Sequence, residues 1–421
     1  VPLCMLRLLL TAAISLLSPR FRFHPPMASS SAPRLSTLDD ERSPALTPLP
    51  LTPVPLTPLL GGCLDACEAL TPLASRVYQM VEHERRRGGA EATRNKLDGS
   101  LFTLADGLVQ AMLERLLAPL VTGVIAEEDS SSLQIEARPY SVCGLQVPET
   151  LEPLVEQAKE QIDSIGGRLR RQLPSARLDA IAVIDPIDGT KEFGSGKGDQ
   201  CTICVGLASA DGRPLGGIVY RPLDHGSPTW AMGCRAEGLT RSRLRERTSR
   251  GGFLCSAGRV SPFLTYLASE MQLPLTPAGG AGNKVLLLLE GEGAAYVQDR
   301  GLSRWDTCAA QAVLEAHGGV LAQLQPFEAR GEVIGYTYRP SSVGSNSDFE
   351  PGVARLTKYN AAPDARHLVS DGVMASEVSQ VQPYANMLGL LALPSSASQE
   401  GLARCLEAVR SSARVHAPEY D

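Results

Sequence analysis

The chain has 421 residues, of which 43% are hydrophobic and 20% are charged, so it can bury a large core, and its length predicts two lobes. Its formal net charge of -6 at pH 7 leaves no broad basic surface for a nucleic acid polymer, although a small anionic substrate needs only a local basic pocket. Ten cysteines are too few for a disulfide scaffold at this length. Cys201 and Cys204 form a CxxC, but they lie in a predicted strand, where positions three apart point to opposite faces, so we expect reduced core cysteines in a soluble globular protein.

The first sixty residues differ in composition from the rest of the chain. Residues 5–17, MLRLLLTAAISLL, are basic and then apolar, which is typical of a signal or transit segment, but they are too short to span a bilayer. A second interpretation takes Met27 as an ordinary cytosolic start. Residues 45–60 repeat Leu-Thr-Pro three times, and prolines at this density predict an extended linker.

These features predict a disordered extension and linker over residues 1–60, a first α+β lobe over 61–235 and a second α/β lobe over 236–421. We expect no stable membrane insertion. We expect a cytoplasmic protein, with organelle or secretory targeting if residues 1–20 are a genuine leader.

Helices and strands follow in mixed order. Apolar residues at spacings of three and four predict helices over residues 67–87, 101–120, 151–173 and 304–319. Short apolar runs predict strands over 121–129, 179–185, 201–209 and 214–222, the last two joined by an Asp-Gly turn. Because there is no regular alternation of strand and helix, we predict layered α+β sheets and helices in preference to a doubly wound fold.

Acidic residues lie at or near the ends of several of these elements. They are Glu127, Glu128, Asp129, Asp185, Asp188 and Asp306. In the string Asp-Pro-Ile-Asp-Gly-Thr, Pro186 fixes its own φ and Gly189 permits a tight turn, so two carboxylates can be held close together. Close carboxylates need a cation, and oxygen ligands without His or Cys favour Mg²⁺. The amides of Gly189 and Thr190 would suit a phosphate oxygen, so the sequence predicts hydrolysis of a phosphate ester.

Other phosphatase chemistries do not fit the same residues. A phosphoaspartyl enzyme needs Asp-x-Asp-x-Thr, whereas these aspartates are three apart with a proline between them. The chain has neither the Cys-x5-Arg of a cysteine phosphatase nor the Arg-His-Gly of a histidine phosphatase. What remains is a metal-activated water that attacks phosphorus directly.

Four strings, IDPIDGT, AEED, WDTCAA and TLADGLVQ, occur in the order typical of one family and resemble the signature segments of the lithium-inhibited, magnesium-dependent phosphomonoesterases. These include inositol monophosphatase, inositol polyphosphate 1-phosphatase and 3'(2'),5'-bisphosphate nucleotidase. The resemblance implies a layered αβαβα sandwich, as in inositol monophosphatase and fructose-1,6-bisphosphatase, and two to three Mg²⁺ ions. It implies that the ligands are Glu127, Asp185, Asp188, Asp306 and the backbone carbonyl of Ile187. It also implies that Asp106 and Thr190 orient the nucleophilic water.

The substrate is a second question. The string GAGNK at residues 280–284 resembles the bisphosphate nucleotidases, which implies that Lys284 meets the second phosphate of adenosine 3',5'-bisphosphate. The string TLADGLVQ and the long region after Gly319 instead resemble inositol polyphosphate 1-phosphatase, and CSAGRVSP lacks the Ser-x-His often found in nucleotidases near the adenosine. We favour the nucleotidase and keep the inositol polyphosphate phosphatase as the alternative. A catalytically inactive phosphate-binding protein is a third hypothesis, which would be marked by loss of a ligand acid.

Overall fold

The structure is a computed structural model that describes residues 55–88, 92–95, 101–173, 177–246, 251–300, 302–338, 386, 388–395 and 397–420. The helices are α1 (Leu56–Arg87), α2 (Leu104–Leu117), α3 (Glu152–Gln172), α4 (Thr190–Gly194), α5 (Pro262–Glu270), α6 (Ala281–Glu290), α7 (Arg304–Ala316), α8 (Leu324–Arg330) and α9 (Gln399–Val415). The strands are β1 (Thr93–Asn95), β2 (Leu101–Thr103), β3 (Val121–Ala126), β4 (Leu133–Gln134), β5 (Ser141–Val142), β6 (Leu145–Gln146), β7 (Leu178–Asp188), β8 (Thr202–Ala208), β9 (Pro214–Arg221), β10 (Thr229–Cys234), β11 (Leu239–Arg243), β12 (Gly252–Ser256), β13 (Leu275–Ala278), β14 (Gly293–Gln298), β15 (Val320–Gln323) and β16 (Leu390–Leu393). Among the described residues, no helix combines the length and the apolar character needed to cross a bilayer.

The first helix corrects the predicted linker. The leader and most of the linker, up to residue 54, lie outside the described residues, but α1 already begins at Leu56, so the prediction of an extended chain to residue 60 is wrong. Pro58 lies in the first turn of α1, where a backbone N–H would have no partner within the helix, and a proline is therefore tolerated. The N–H groups of Leu56 and Thr57 donate instead to the carboxylate of Glu237, at 2.5 and 2.8 Å. A residue far along the chain thus fixes where the helix begins.

Two mixed sheets form the framework. The first has the strand order β11-β10-β9-β8-β7-β3, in which β3 is parallel to β7 and the other pairs are antiparallel. The second has the order β13-β12-β14-β16-β15, in which β12 is parallel to both β13 and β14. The expected lobe boundary at residue 236 falls between β10 and β11, which are neighbours in the first sheet.

Helices cover both sheets and give five layers. Helices α1, α2 and α3 pack together on one face of the first sheet, and α6 and α7 pack on its other face. Helix α6 also contacts β14 and helix α7 also contacts β15, both in the second sheet. These two helices therefore form the layer between the two sheets. Apolar residues of α5, α8 and α9 share a core with β12, β14 and β16 on the far side of the second sheet. The predicted layered αβαβα sandwich is confirmed.

Strand β8, which contains Cys204 and directly follows Cys201, is buried on both faces because it lies inside the first sheet between two helix layers. Cys201 and Cys204 are fully buried free thiols, and burial raises the pKa of each well above its usual value. They are core residues, as predicted.

Candidate metal centre and active-site cavity

A β-bulge at the end of β7 brings Asp185 and Asp188 together. Asp185 pairs with Cys204 and Asp188 pairs with Thr202. The two aspartates are three residues apart on β7, whereas their partners are two residues apart on β8, so β7 contains one extra residue here. Residues three apart in a regular strand point to opposite faces, and the extra residue removes this alternation. Gly189 then adopts a φ of 92°, in the left-handed region, and the chain turns into α4.

Asp306 completes this cluster from the first turn of α7. The backbone N–H of Ser303 donates to Asp306 Oδ2 at 2.5 Å, which fixes the carboxylate at the start of the helix. Carboxylate oxygens of Asp185, Asp188 and Asp306 lie within 4.8 Å of one another. Asp185 Oδ1 is buried and has no hydrogen-bond partner within the described part of the chain. A buried, unsatisfied carboxylate oxygen among hard oxygen ligands fits a divalent cation such as Mg²⁺.

The acids destabilise one another when no cation is bound. Burial raises the pKa of Asp185 well above its usual value, and the charges of Glu127 and Asp188 raise it further. Burial, followed by the charge of Asp188, raises the pKa of Asp306 to about 7. Bringing several carboxylates into a site without water disfavours their ionised forms, and a bound cation would remove that cost.

Asp188 is held by α6 as well as by its own sheet. Its carboxylate accepts the backbone N–H groups of Ala281 at 2.9 Å and Gly282 at 2.7 Å, and the hydroxyl of Thr202 at 2.8 Å. The string GAGNK, whose Lys284 was expected to meet a phosphate, thus begins a helix whose first amides bind a carboxylate. A Cβ on Gly282 would lie 2.5 Å from Thr202 Oγ1 and 2.7 Å from Cys204 Sγ, so this close approach requires glycine. These contacts join segments far apart in the chain, so no local sequence pattern predicts them.

A second acidic cluster contains Asp106, Glu127 and Glu128, whose carboxylate oxygens also lie within 4.8 Å of one another. Glu127 had been expected to group with Asp185, and the structure groups it with Asp106, although its charge still acts on Asp185 and Asp306.

Glu128 belongs to the second cluster although it was not predicted as a ligand. Its side chain is buried, and Gln110 binds both the N–H and the carbonyl of its backbone, at 2.9 and 2.7 Å. Asp129, the next acid, instead accepts the N–H of Ser131 in a local turn. Three adjacent acids were visible in the sequence, but only the packing of α2 determines which of them is buried.

Asp106, a member of the second cluster, is in direct contact with Thr190 at the start of α4. Asp106 Oδ2 accepts the N–H and the hydroxyl of Thr103 at 2.9 and 2.6 Å, so the start of α2 fixes this oxygen. Asp106 Oδ1 accepts the hydroxyl of Thr190 at 3.0 Å, and the same hydroxyl lies 2.9 Å from the carbonyl oxygen of Ile187. The pair that the family resemblance implied is therefore assembled.

A cavity of about 820 Å³ lies beside the cluster and is lined by Asp188, Asp306 and Lys284. Only 3% of Lys284 is exposed, and its Nζ donates to the carbonyl oxygen of Ala278 at 3.2 Å. Burial lowers the pKa of Lys284, and the charge of Asp188 is the strongest influence that opposes this change. The ammonium group therefore acts on the acidic cluster itself as well as on the cavity.

Comparison with known proteins matches the same region of the chain. The model of the inositol monophosphatase family matches residues 66–356. The 3'(2'),5'-bisphosphate nucleotidase 1 of Homo sapiens is 29% identical over 289 residues, which cover 63% of this chain and 83% of the human protein. The protein of the same name from Mus musculus is 32% identical over 246 residues, covering 53% of this chain and 71% of its own. A putative inositol monophosphatase 3 from Drosophila melanogaster is 24% identical over 312 residues, covering 68% of this chain and 79% of its own. Because the matched region contains both acidic clusters and the cavity lysine, the sequence and the structure agree that this chain belongs to the inositol monophosphatase family of phosphoric monoester hydrolases.

Proposed function

We propose that the protein is a magnesium-dependent 3'(2'),5'-bisphosphate nucleotidase, which converts adenosine 3',5'-bisphosphate to AMP and phosphate by attack of water. The observation that carries this proposal is the buried oxygen cluster of Asp185, Asp188 and Asp306 beside a cavity that also contains a lysine. The similarity to bisphosphate nucleotidases supports the choice of a nucleotide substrate.

The proposed ligands come from both acidic clusters. They are Glu127, Asp185, Asp188, Asp306 and the carbonyl oxygen of Ile187. Two or three Mg²⁺ ions, when bound, would neutralise the carboxylates and stabilise the charge that develops on the phosphoryl group. The protein keeps the ligands in place through the amides of α6, the start of α7 and the bulge of β7, so little reorganisation is needed during turnover.

Thr190 and Asp106 would position the attacking water. The Thr190 hydroxyl has a single proton, which it can donate to Asp106 Oδ1 or to the carbonyl oxygen of Ile187. The threonine oxygen can then accept a hydrogen bond from water, and Asp106 is placed to receive a proton through this hydroxyl. The amides of Gly189 and Thr190 would bind the scissile phosphate, and Lys284 would attract the second phosphate of the substrate.

Phosphate release with Mg²⁺ from adenosine 3',5'-bisphosphate and from inositol 1,4-bisphosphate tests this proposal. We expect the larger kcat/KM for the nucleotide. A preference for the inositol bisphosphate would replace the proposal with an inositol polyphosphate 1-phosphatase. Release from neither substrate, with tight binding of one of them, would indicate a phosphate-binding protein without catalysis.

We also propose a cytoplasmic location. Eight cysteines within the described residues are buried free thiols, which agrees with a reducing compartment. Fluorescent fusions that contain or lack residues 1–26 test this, and import of the longer fusion into an organelle would assign a targeting role to the leader.

A further inference from the structure

Two arginines line the same cavity as the acidic cluster. Arg259 and Arg300 follow β12 and β14, which are parallel neighbours in the second sheet. The carboxyl ends of parallel neighbours lie at one edge of a sheet, where ligands of open α/β sheets commonly bind. The cavity therefore contains basic side chains that the proposed catalytic groups do not include.

These arginines converge on one carboxylate of the C-terminal segment. Arg259 Nη2 lies 3.0 Å from Glu419 Oε1, and Arg300 Nη1 lies 2.7 Å from Glu419 Oε2. One guanidinium thus binds each oxygen of a single anion, which is an arrangement suited to a phosphate group as well. The side chain of Arg259 is 64% exposed and that of Arg300 is 23% exposed, so a solute in the cavity can reach both.

The C-terminal segment has its own anchors beside this pair. The Tyr420 hydroxyl donates to Glu328 Oε2 at 2.7 Å, and the N–H of Glu419 donates to Asp299 Oδ2 at 3.2 Å. Asp299 Oδ2 also accepts the hydroxyl of Ser261 at 2.6 Å. These contacts hold the segment through groups other than the Glu419 carboxylate, so this carboxylate can leave the arginines while the segment stays attached.

We propose that Arg259 and Arg300 form the subsite for the substrate phosphate that is not hydrolysed, and that Glu419 occupies this subsite in the free enzyme. The inference rests on the proposed phosphatase function and names the groups that select a bisphosphate. A phosphate monoester carries about -1.5 to -2 charges at neutral pH, against one for a carboxylate, so it displaces Glu419 from the two cations. Lys284 then supplies further positive charge to the same cavity.

The proposed subsite is tested by measuring kcat/KM of the full-length enzyme with Mg²⁺ on a bisphosphate and on the matching monophosphate. The quantity compared is the ratio of the first kcat/KM to the second. The first pair is adenosine 3',5'-bisphosphate and adenosine 3'-monophosphate, and the second is inositol 1,4-bisphosphate and inositol 1-phosphate. Arg259→Met and Arg300→Met should each lower the ratio about 10-fold or more. Glu419→Gln, which removes the competing charge, should raise it through a lower KM for the bisphosphate. Arg213→Met, which breaks an exposed ion pair with Asp211, is the control and should leave the ratio unchanged.

The arginine variants and Glu419→Gln should change the ratio of kcat/KM values in opposite directions. This difference separates a phosphate subsite from a merely structural ion pair. If the arginines only hold the C-terminal segment, Glu419→Gln will have the same effect as the arginine variants, and the inference is overturned. Equal losses on bisphosphate and monophosphate would also overturn it. If the wild type turns over only the inositol pair and the arginine variants still lower the ratio, the subsite stands and the nucleotidase proposal fails. Turnover of none of the four substrates would refute both.

Discussion

Replacing Asp185 with asparagine should nearly abolish turnover and stabilise the metal-free protein. The substitution keeps the shape of a side chain that is only 1% exposed and removes one charge from the cluster. Two unit charges 4.8 Å apart repel by about 3.5 kcal/mol at an effective dielectric constant near 20, and 4.8 Å is the upper limit of the oxygen separations here. Raised pKa values mean that the acids are partly protonated, so we expect the free energy of unfolding to rise by about 1–2 kcal/mol.

The stabilisation of the metal-free protein by Asp185→Asn should depend on pH. The pKa of Asp306 is raised from 3.8 to about 7 in the folded protein, so the folded state binds more protons than the unfolded state between these values. The Asp306 carboxyl therefore does not change the free energy of unfolding of the metal-free wild type with pH below pH 3.8. As the pH rises from 3.8 toward 7, this carboxyl lowers the free energy of unfolding. The gain from Asp185→Asn should accordingly be largest near pH 7 and should vanish toward pH 4.

Thermal unfolding in EDTA at several pH values, together with kcat in Mg²⁺, measures both effects. We expect kcat to fall by about 1,000-fold, since a lost cation ligand removes several kcal/mol of transition-state stabilisation. Asp179→Asn is the matched control, because Asp179 lies on the same strand but is exposed, and it should change neither quantity. An active Asp185→Asn enzyme, or one whose metal-free form is no more stable than wild type, would refute the account of the cluster as a cation site.

Three further predictions concern the metal, the lysine and a glycine. EDTA should abolish phosphate release and added Mg²⁺ should restore it, while lithium in the millimolar range should inhibit; full turnover in EDTA would contradict the oxygen-ligand assignment. Lys284→Met should lower the ratio of kcat/KM for adenosine 3',5'-bisphosphate to that for the 3'-monophosphate by about 5- to 150-fold, and equal losses on the two substrates would remove Lys284 from the second-phosphate site. Gly282→Ala should destabilise the protein by about 1–3 kcal/mol and lower kcat, because its Cβ would lie 2.5 Å from the threonine hydroxyl that binds Asp188. Gly61→Ala is the control: Gly61 lies in α1, no atom of the described residues is within 4 Å of the added Cβ, and the substitution should stabilise the protein by about 0.5–1 kcal/mol. Unchanged melting and kcat for Gly282→Ala would show that its close contact is unimportant.

Local sequence patterns were enough to predict layered sheets and helices and the local geometry of several candidate residues. Apolar spacing predicted α2, α3 and α7 within a few residues of their observed ends, because an amphipathic helix is encoded by its own side chains. The start of α7 was also local, since Asp306 accepts the N–H of a residue three positions earlier. The string around Pro186 and Gly189 predicted a turn that holds two aspartates together, and the observed bulge supplies it.

Which distant groups meet depends on the tertiary structure. The start of α1 depends on Glu237, the orientation of Asp188 depends on the amides of α6, and Gln110 holds the backbone of Glu128. The pairing of Arg259 and Arg300 with Glu419 likewise joins segments more than a hundred residues apart. A charged or polar side chain has the same local pattern whether it is solvated or buried with a partner, and only the folded chain, which removes water and supplies that partner, distinguishes the two.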